Sequence, residues 1–131
     1  MLITEYVEFI SPAKWDAERA SAMHLLERWR KDVESADAAR LMAHYSRQFR
    51  SAAQEDLQTW LGKQARFTPS AGKISVELKD PSQFLYPGRD DLMVSTFTEV
   101  TRTGKQSRSL HKRQYWLKEG PYWKIIFEGY L

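Results

Sequence analysis

The 131-residue sequence contains no cysteine. That absence excludes thiol catalysis, disulfide stapling and cysteine-ligated metal, and it leaves the redox compartment open, since nothing in the chain needs oxidation or reduction. Long apolar runs are missing too: no segment approaches the roughly 18 to 20 apolar residues that span a bilayer. Glycine is scarce, six residues in all, each isolated at a turn, so no glycine-rich phosphate loop is formed. His24, His44 and His111, the three histidines, are scattered, with no His-x-x-x-His or His/carboxylate triplet at helical spacing. No metal site and no cofactor are expected. The start, Met1 to Glu8, carries acids and lacks the basic opening and apolar stretch of a secretion signal. If the natural protein is exported, this chain is expected to be a fragment of it.

What is present is a core. The chain is 42% hydrophobic and 13% aromatic, with five tryptophans, enough for one domain spanning residues 1–131. Large rings enclose space that smaller side chains must fill, so a pocket is expected among them. The net charge of +3 is unevenly placed. Residues 1–60 hold 8 basic and 10 acidic groups; residues 61–131 hold 12 and 7. From Arg102 to Lys118 six basic groups occur with no acid, a stretch that favours an anionic partner or guards strand edges.

Ser11-Pro12 reads as a helix start. A helix is expected from about Pro12 to Glu34, with Trp15, Ala22, Leu26, Trp29 and Val33 on one core face. Asp37 is placed to cap a second helix holding Leu41 and Tyr45 at i and i+4. Ser51 with Gln54 has the form of a capping box before Leu57, Trp60 and Leu61. After Ala65 the pattern alternates: Ile74, Val76 and Leu78 point one way, Ser75, Glu77 and Lys79 the other. Pro81 to Pro87 fits no single element, and Pro87-Gly88-Arg89-Asp90 is a turn. Leu92 to Thr101, Ser107 to Leu117 and Tyr122 to Tyr130 read as strands joined at Gly104-Lys105 and Glu119-Gly120. Helices first and an antiparallel meander afterwards mean an α+β fold.

A last hairpin turning at Glu119-Gly120 sets Trp116 opposite Trp123, Gln114 opposite Ile125 and Lys112 opposite Phe127 on the helix-covered face. His111 with Glu128, Arg113 with Ile126 and Tyr115 with Lys124 fall on the outer face. A loop one residue longer would flip a whole strand. Trp29, Tyr45, Gln114, Trp116 and Trp123 are therefore the candidate pocket, where a buried amide offers a ligand both donor and acceptor unless a helix end or the Tyr45 hydroxyl satisfies it. His111, Arg113, Tyr115 and Glu128 are the candidate interface to another subunit or domain, with His111 and Glu128 either a proton-transfer pair or a surface contact.

Three N-terminal helices, a bent sheet, a long curved hairpin and a final Trp-Lys-Ile strand resemble the nuclear transport factor 2-like cone. The words Leu26-Glu27-Arg28-Trp29-Arg30, Glu34-Ser35-Ala36-Asp37, His44-Tyr45-Ser46, Phe49-Arg50-Ser51, Phe84-Leu85-Tyr86-Pro87-Gly88, Asp91-Leu92-Met93-Val94 and Lys112-Arg113-Gln114-Tyr115-Trp116 resemble the domain of this fold that follows bacterial L,D-transpeptidase-type catalytic domains. The resemblance covers roughly Leu25 to Gly129. It implies a non-catalytic accessory module, periplasmic or in the cell envelope, whose partners are an upstream transpeptidase-type domain or peptidoglycan fragments. The catalytic cysteine of such proteins lies in the other domain, so no catalytic residue carries over.

The rival reading is a free-standing, cytoplasmic small-molecule binder or isomerase/cyclase-like enzyme, which needs a desolvated carboxylate base in the cone. The register above provides none, unless Glu99 turns inward. Nucleic-acid binding is disfavoured because the basic residues of 102–118 are not interleaved with stacking rings. A homodimer through the outer sheet face is expected.

Overall fold

The computed structural model of the chain describes residues 12–35, 37–63 and 73–131. Its helices are α1 (Pro12–Ser35), α2 (Ala38–Met42) and α3 (Leu57–Gly62). Its strands are β1 (Tyr45–Ser51), β2 (Ile74–Leu85), β3 (Leu92–Thr103), β4 (Gln106–Glu119) and β5 (Tyr122–Tyr130). They form one sheet in the order β1-β5-β4-β3-β2, with β1 parallel to β5 and the other neighbours antiparallel. This is the expected α+β arrangement with one addition. Tyr45 opens a strand instead of closing a helical turn: α2 stops at Met42, and the backbone N–H of Ile125 in β5 donates to the His44 carbonyl at 2.8 Å.

The apolar stripe of α1 lies where its spacing puts it, with Ala22, Leu26, Trp29 and Val33 buried. Ser11 and the side chain of Trp15 fall outside the described residues. Trp29 packs 5.5 Å from the Phe97 ring of β3, and the same core takes in Leu41, Phe49, Trp60, Trp116 and Ile125. Polar contacts fix α1 to the rim of the sheet. β2 is an edge strand, and its Val76 N–H donates to Glu34 at 2.8 Å while its Val76 carbonyl accepts from Arg30 at 2.9 Å. Helix side chains thus occupy backbone groups that an added strand would otherwise use.

One cap and two strands depart from expectation. Asp37 caps α2 by accepting from the Arg40 N–H, as foreseen. The cap of α3 is Asp56, which accepts from the Thr59 N–H at 2.9 Å; Ser51 instead ends β1 and accepts from the Glu55 N–H at 3.1 Å. The segment from Pro81 continues β2 to Leu85, with an irregularity between Lys79 and Ser82 and Asp80 at φ 50°. Proline is tolerated there because an edge bulge leaves its missing N–H without consequence. The following turn forms as expected: Arg89 N–H donates to the Tyr86 carbonyl at 3.0 Å around Pro87 and Gly88, the glycine at φ 80°.

The register of the last hairpin requires correction. Glu119 pairs with Tyr122, so the turn residues are Gly120 and Pro121, and Trp116 lies opposite Ile125 instead of Trp123. A bulge in β5 opposite Tyr115 and Trp116 then shifts the pairing by one more residue. Past it, Tyr115 faces Phe127 and Gln114 faces Glu128. One inserted residue exchanges the two faces of a strand. Phe127 consequently joins Tyr115 on the outer face, ring centroids 5.4 Å apart, and Glu128 goes inside, 1% exposed.

Candidate functional site

Alternation along β4 turns Lys112, Gln114 and Trp116 toward the helices, and none of the three retains any exposure. Glu99 on β3 is equally buried. A buried ammonium is tolerated only where carboxylates and further donors compensate it. Lys112 Nζ lies 3.0 Å from Glu99 Oε1 and 3.1 Å from Glu128 Oε2, and it stands 5.6 Å from the centre of the Trp29 ring and 5.9 Å from that of Trp60. Glu128 Oε1 accepts from the Tyr45 hydroxyl at 2.7 Å and from Gln114 Nε2 at 2.8 Å. Tyr45 Oη in turn accepts from Trp29 Nε1 at 3.0 Å. Five side chains from α1, β1, β4 and β5 form one connected polar network, with Glu99 of β3 joined through the lysine.

This network answers the question the sequence left open about a base in the cone. Two carboxylates are there, Glu99 and Glu128. Glu128 has both oxygens engaged by protein donors, and Lys112 bridges the two acids. A general base must reach a substrate proton with an available lone pair; Glu128 is instead committed to the fold. Among the described residues, Gln114 Oε1 and Trp116 Nε1 are buried in the cone without a hydrogen-bond partner. Gln83 shows a related pattern nearby, donating to Ser95 at 3.0 Å and to the Ala22 carbonyl at 3.2 Å while its Oε1 is unsatisfied.

Of the candidate pocket, Trp29, Tyr45 and Gln114 come together around Lys112 and Glu128, and Trp116 belongs to the same buried core. Trp123 belongs to the same core at 9% exposure, but it lies near the rim, with Lys118 Nζ 5.7 Å from its ring. The candidate interface set does not stay together. His111 is on the outer face, its Nδ1 2.8 Å from Thr98 Oγ1, beside exposed Arg113 and half-buried Tyr115. Glu128 is on the opposite face, so no His111–Glu128 pair exists. The basic run is divided in the same way: Lys112 is interior, Arg102 is paired with Glu77 at 3.2 Å, and Lys105 and Arg108 lie at the far end of a hairpin from Lys118. A run of one sign in sequence is not one patch when strands alternate.

The sequence puts Lys112 on the covered face without marking it as a site residue, and puts Glu128 on the wrong face. A signal existed. Lys112 points inward in either register, and an interior lysine demands an interior acid. Among the described residues no three His, Asp or Glu side chains converge as metal ligands, and no helix is long and apolar enough to cross a membrane.

Residues 21–129 match the family described as the Cds6 C-terminal NTF2-like domain. No curated protein matches the sequence. Among solved structures, the chain is similar to Bd1075 of Bdellovibrio bacteriovorus, with a TM-score of 0.78 at 21% identity over 93% of this chain and 44% of that one. It is similar to the helical cell shape determining protein Pgp2 of Campylobacter jejuni, with a TM-score of 0.68 at 16% identity over 83% of this chain and 39% of that one. The association domain of Caenorhabditis elegans CaMKII gives 0.70 at 10% identity over 87% and 95%. At these identities the likeness is one of fold, and the chain spans less than half the length of the two bacterial proteins.

Proposed function

The chain belongs to the family of Cds6 C-terminal NTF2-like domains, and from that premise we propose that it is a non-catalytic accessory module of an L,D-transpeptidase-associated envelope protein, positioning a peptidoglycan fragment or a partner for a catalytic domain. The observation that carries this reading is the Lys112 bridge between Glu99 and Glu128. It uses the cone's acids to hold strands together and commits both oxygens of Glu128, which counts against an enzyme of the isomerase or cyclase kind. With no cysteine in the chain, a thioester route is closed as well. Supporting the setting, a neighbour of the same fold is named for determining cell shape, and in it the matched part is a minority of a longer chain. A periplasmic or envelope location follows from this reading.

The test is direct binding. The purified chain is titrated with soluble muropeptides and, separately, with an L,D-transpeptidase catalytic domain, by calorimetry. Binding to either, with the muropeptide recovered chemically unchanged, is the expected result. Turnover of the muropeptide, or no association with either, contradicts it.

One observation favours a second role for the cone. Gln114 Oε1 and Trp116 Nε1 are a buried acceptor and donor without protein partners, and such atoms ordinarily mark a site for water or a small polar ligand. A small-molecule-binding module satisfies this as well. Ligand-induced shifts at the Trp116 indole N–H separate it from the first reading.

A further inference from the structure

We propose that the open groove between α1 and the β4–β5 turn is a binding site for a carboxylate-bearing peptide. This deepens the accessory-module reading and rests on it for the source of the ligand. The groove has a volume of about 980 Å³, and its described lining contains Arg28, Arg40, Lys118 and Lys124 but a single acid, Asp32. That acid is already engaged, with His44 Nε2 2.6 Å from its Oδ2. No other acid stands in the described lining, although the whole chain is nearly balanced at +3. Local excess of one sign in a concave surface concentrates the opposite charge there.

The cations are placed by different elements and converge. Arg28 stands one turn from Asp32 on the α1 stripe that also bears His24, and from Ser21 to Asp32 this stripe runs about 16 Å along the wall. Arg28 has no ion pair among the described residues. Arg40, at the end of α2, has a side chain 70% exposed and only a 3.6 Å contact with Asp37. Lys124 is tied down, its Nζ donating to the Ala43 carbonyl at 2.6 Å, and so contributes field more than contact. Opposite them Tyr122 is 65% exposed, and the ring of Trp123 closes the base. Arg28 on that wall, about 16 Å long, a second guanidinium from α2 and the exposed ring of Tyr122 suit an extended peptide with carboxylates several residues apart: guanidinium pairs with carboxylate in a planar fork, and Tyr122 covers an aliphatic side chain.

Two sources carry that chemistry: the stem peptide of a wall fragment, and an acidic segment of a partner protein. The experiment titrates the 131-residue chain, followed by amide NMR shifts, with an uncrosslinked muropeptide stem peptide, an Asp/Glu-containing peptide of equal length and an amidated, neutral version of the stem peptide. Shifts are expected around Arg28, Arg40 and Tyr122 with one or both acidic peptides and not with the neutral one. Arg28→Glu with Arg40→Glu should weaken binding about tenfold, whereas Arg108→Glu at the distant hairpin should leave it unchanged. Thermal unfolding at the wild-type temperature shows that the variants are folded. Weakening with salt is also required, because screening acts over about 8 Å at physiological ionic strength. Shifts confined to the cone or outer face, equal binding of the neutral peptide, or indifference to the double charge reversal overturns the groove site. If the stem peptide binds in the cone instead, the groove fails and the accessory-module reading stands. If only the Asp/Glu peptide binds in the groove, the groove stands and the wall source fails.

Discussion

The Tyr45 hydroxyl donates to Glu128 at 2.7 Å although 83 residues separate the two in sequence. Tyr45 begins the first strand and Glu128 nearly ends the last, so one contact ties the two strands of the only parallel pair among the described residues. It also passes the connection to α1, since Trp29 Nε1 donates to the same hydroxyl. Tyr45→Phe keeps the ring and removes both bonds, leaving a buried donor and a buried carboxylate short of a partner. A loss of about 1 to 3 kcal/mol is expected in urea unfolding. A loss near zero would show that water replaces the hydroxyl.

Lys112 tests the ionic part of the same network. Lys112→Met preserves most of the volume but strands Glu99 and Glu128 in the core, and removal of one partner from a buried ionic set costs about 3 to 5 kcal/mol. Converting both acids to glutamine in the Lys112→Met background removes the stranded charges and should restore part of that loss. If the single variant is as stable as the parent, the network is not holding the cone.

Much of this was legible in sequence, and the failures have identifiable causes. The α1 stripe was readable because Ala22, Leu26, Trp29 and Val33 keep helical spacing without interruption. β1 was not, because Leu41 and Tyr45 stand four apart by coincidence across a helix end, and strand pairing with a segment 80 residues later leaves no local mark. Glu128 was misplaced because a bulge in β5 opposite Tyr115 and Trp116 adds one residue, Ile126, a local backbone event that side-chain alternation does not announce. Pro81 concealed the second half of β2 because proline argues against a central strand, and only the spatial order reveals that β2 is an edge.

Arg30 and Glu34 shield the edge of β2 through the Val76 backbone. Arg30→Ala removes the cover from the carbonyl and one member of an ion pair at 3.0 Å. The expected result is a greater tendency to self-associate at high concentration, seen by light scattering, along with a modest loss of stability. Unchanged scattering would mean that α1 protects the edge by bulk alone.

Acid should weaken the fold in a defined window. A hydrogen bond from Arg30 holds Glu27 below its ordinary 4.5, the Thr59 N–H holds Asp56 below its ordinary 3.8, and Arg89 holds Asp91 below the same value. A carboxyl lowered in the folded state stabilises fully above its unfolded value, and that contribution disappears as pH falls through the folded one. The urea midpoint should therefore be flat above about pH 5 and fall below about pH 4. Asp56→Ala should lower it at neutral pH and converge with the parent in acid, as the lost cap no longer differs. A deficit that persists unchanged at low pH would assign the effect to helix propensity.

The outer face carries His111, Arg113, Tyr115 and now Phe127, and a homodimer through it is the expectation to test. Tyr115 and Phe127 meet edge to face there, and Tyr86 lies 6.5 Å from Tyr115. Sedimentation equilibrium is expected to show a dimer that Tyr115→Glu dissociates. A monomer at high concentration rules the surface out.

Binding without catalysis is the role proposed for this domain. One NMR titration of the chain with a soluble muropeptide, read from both sides, measures it: amide shifts report binding, and the muropeptide's own resonances report its chemistry. Saturable protein shifts that weaken with added salt are expected, while the muropeptide spectrum stays that of the starting compound. Product resonances growing in at a rate set by the amount of protein, and lost with Glu128→Gln, would contradict it.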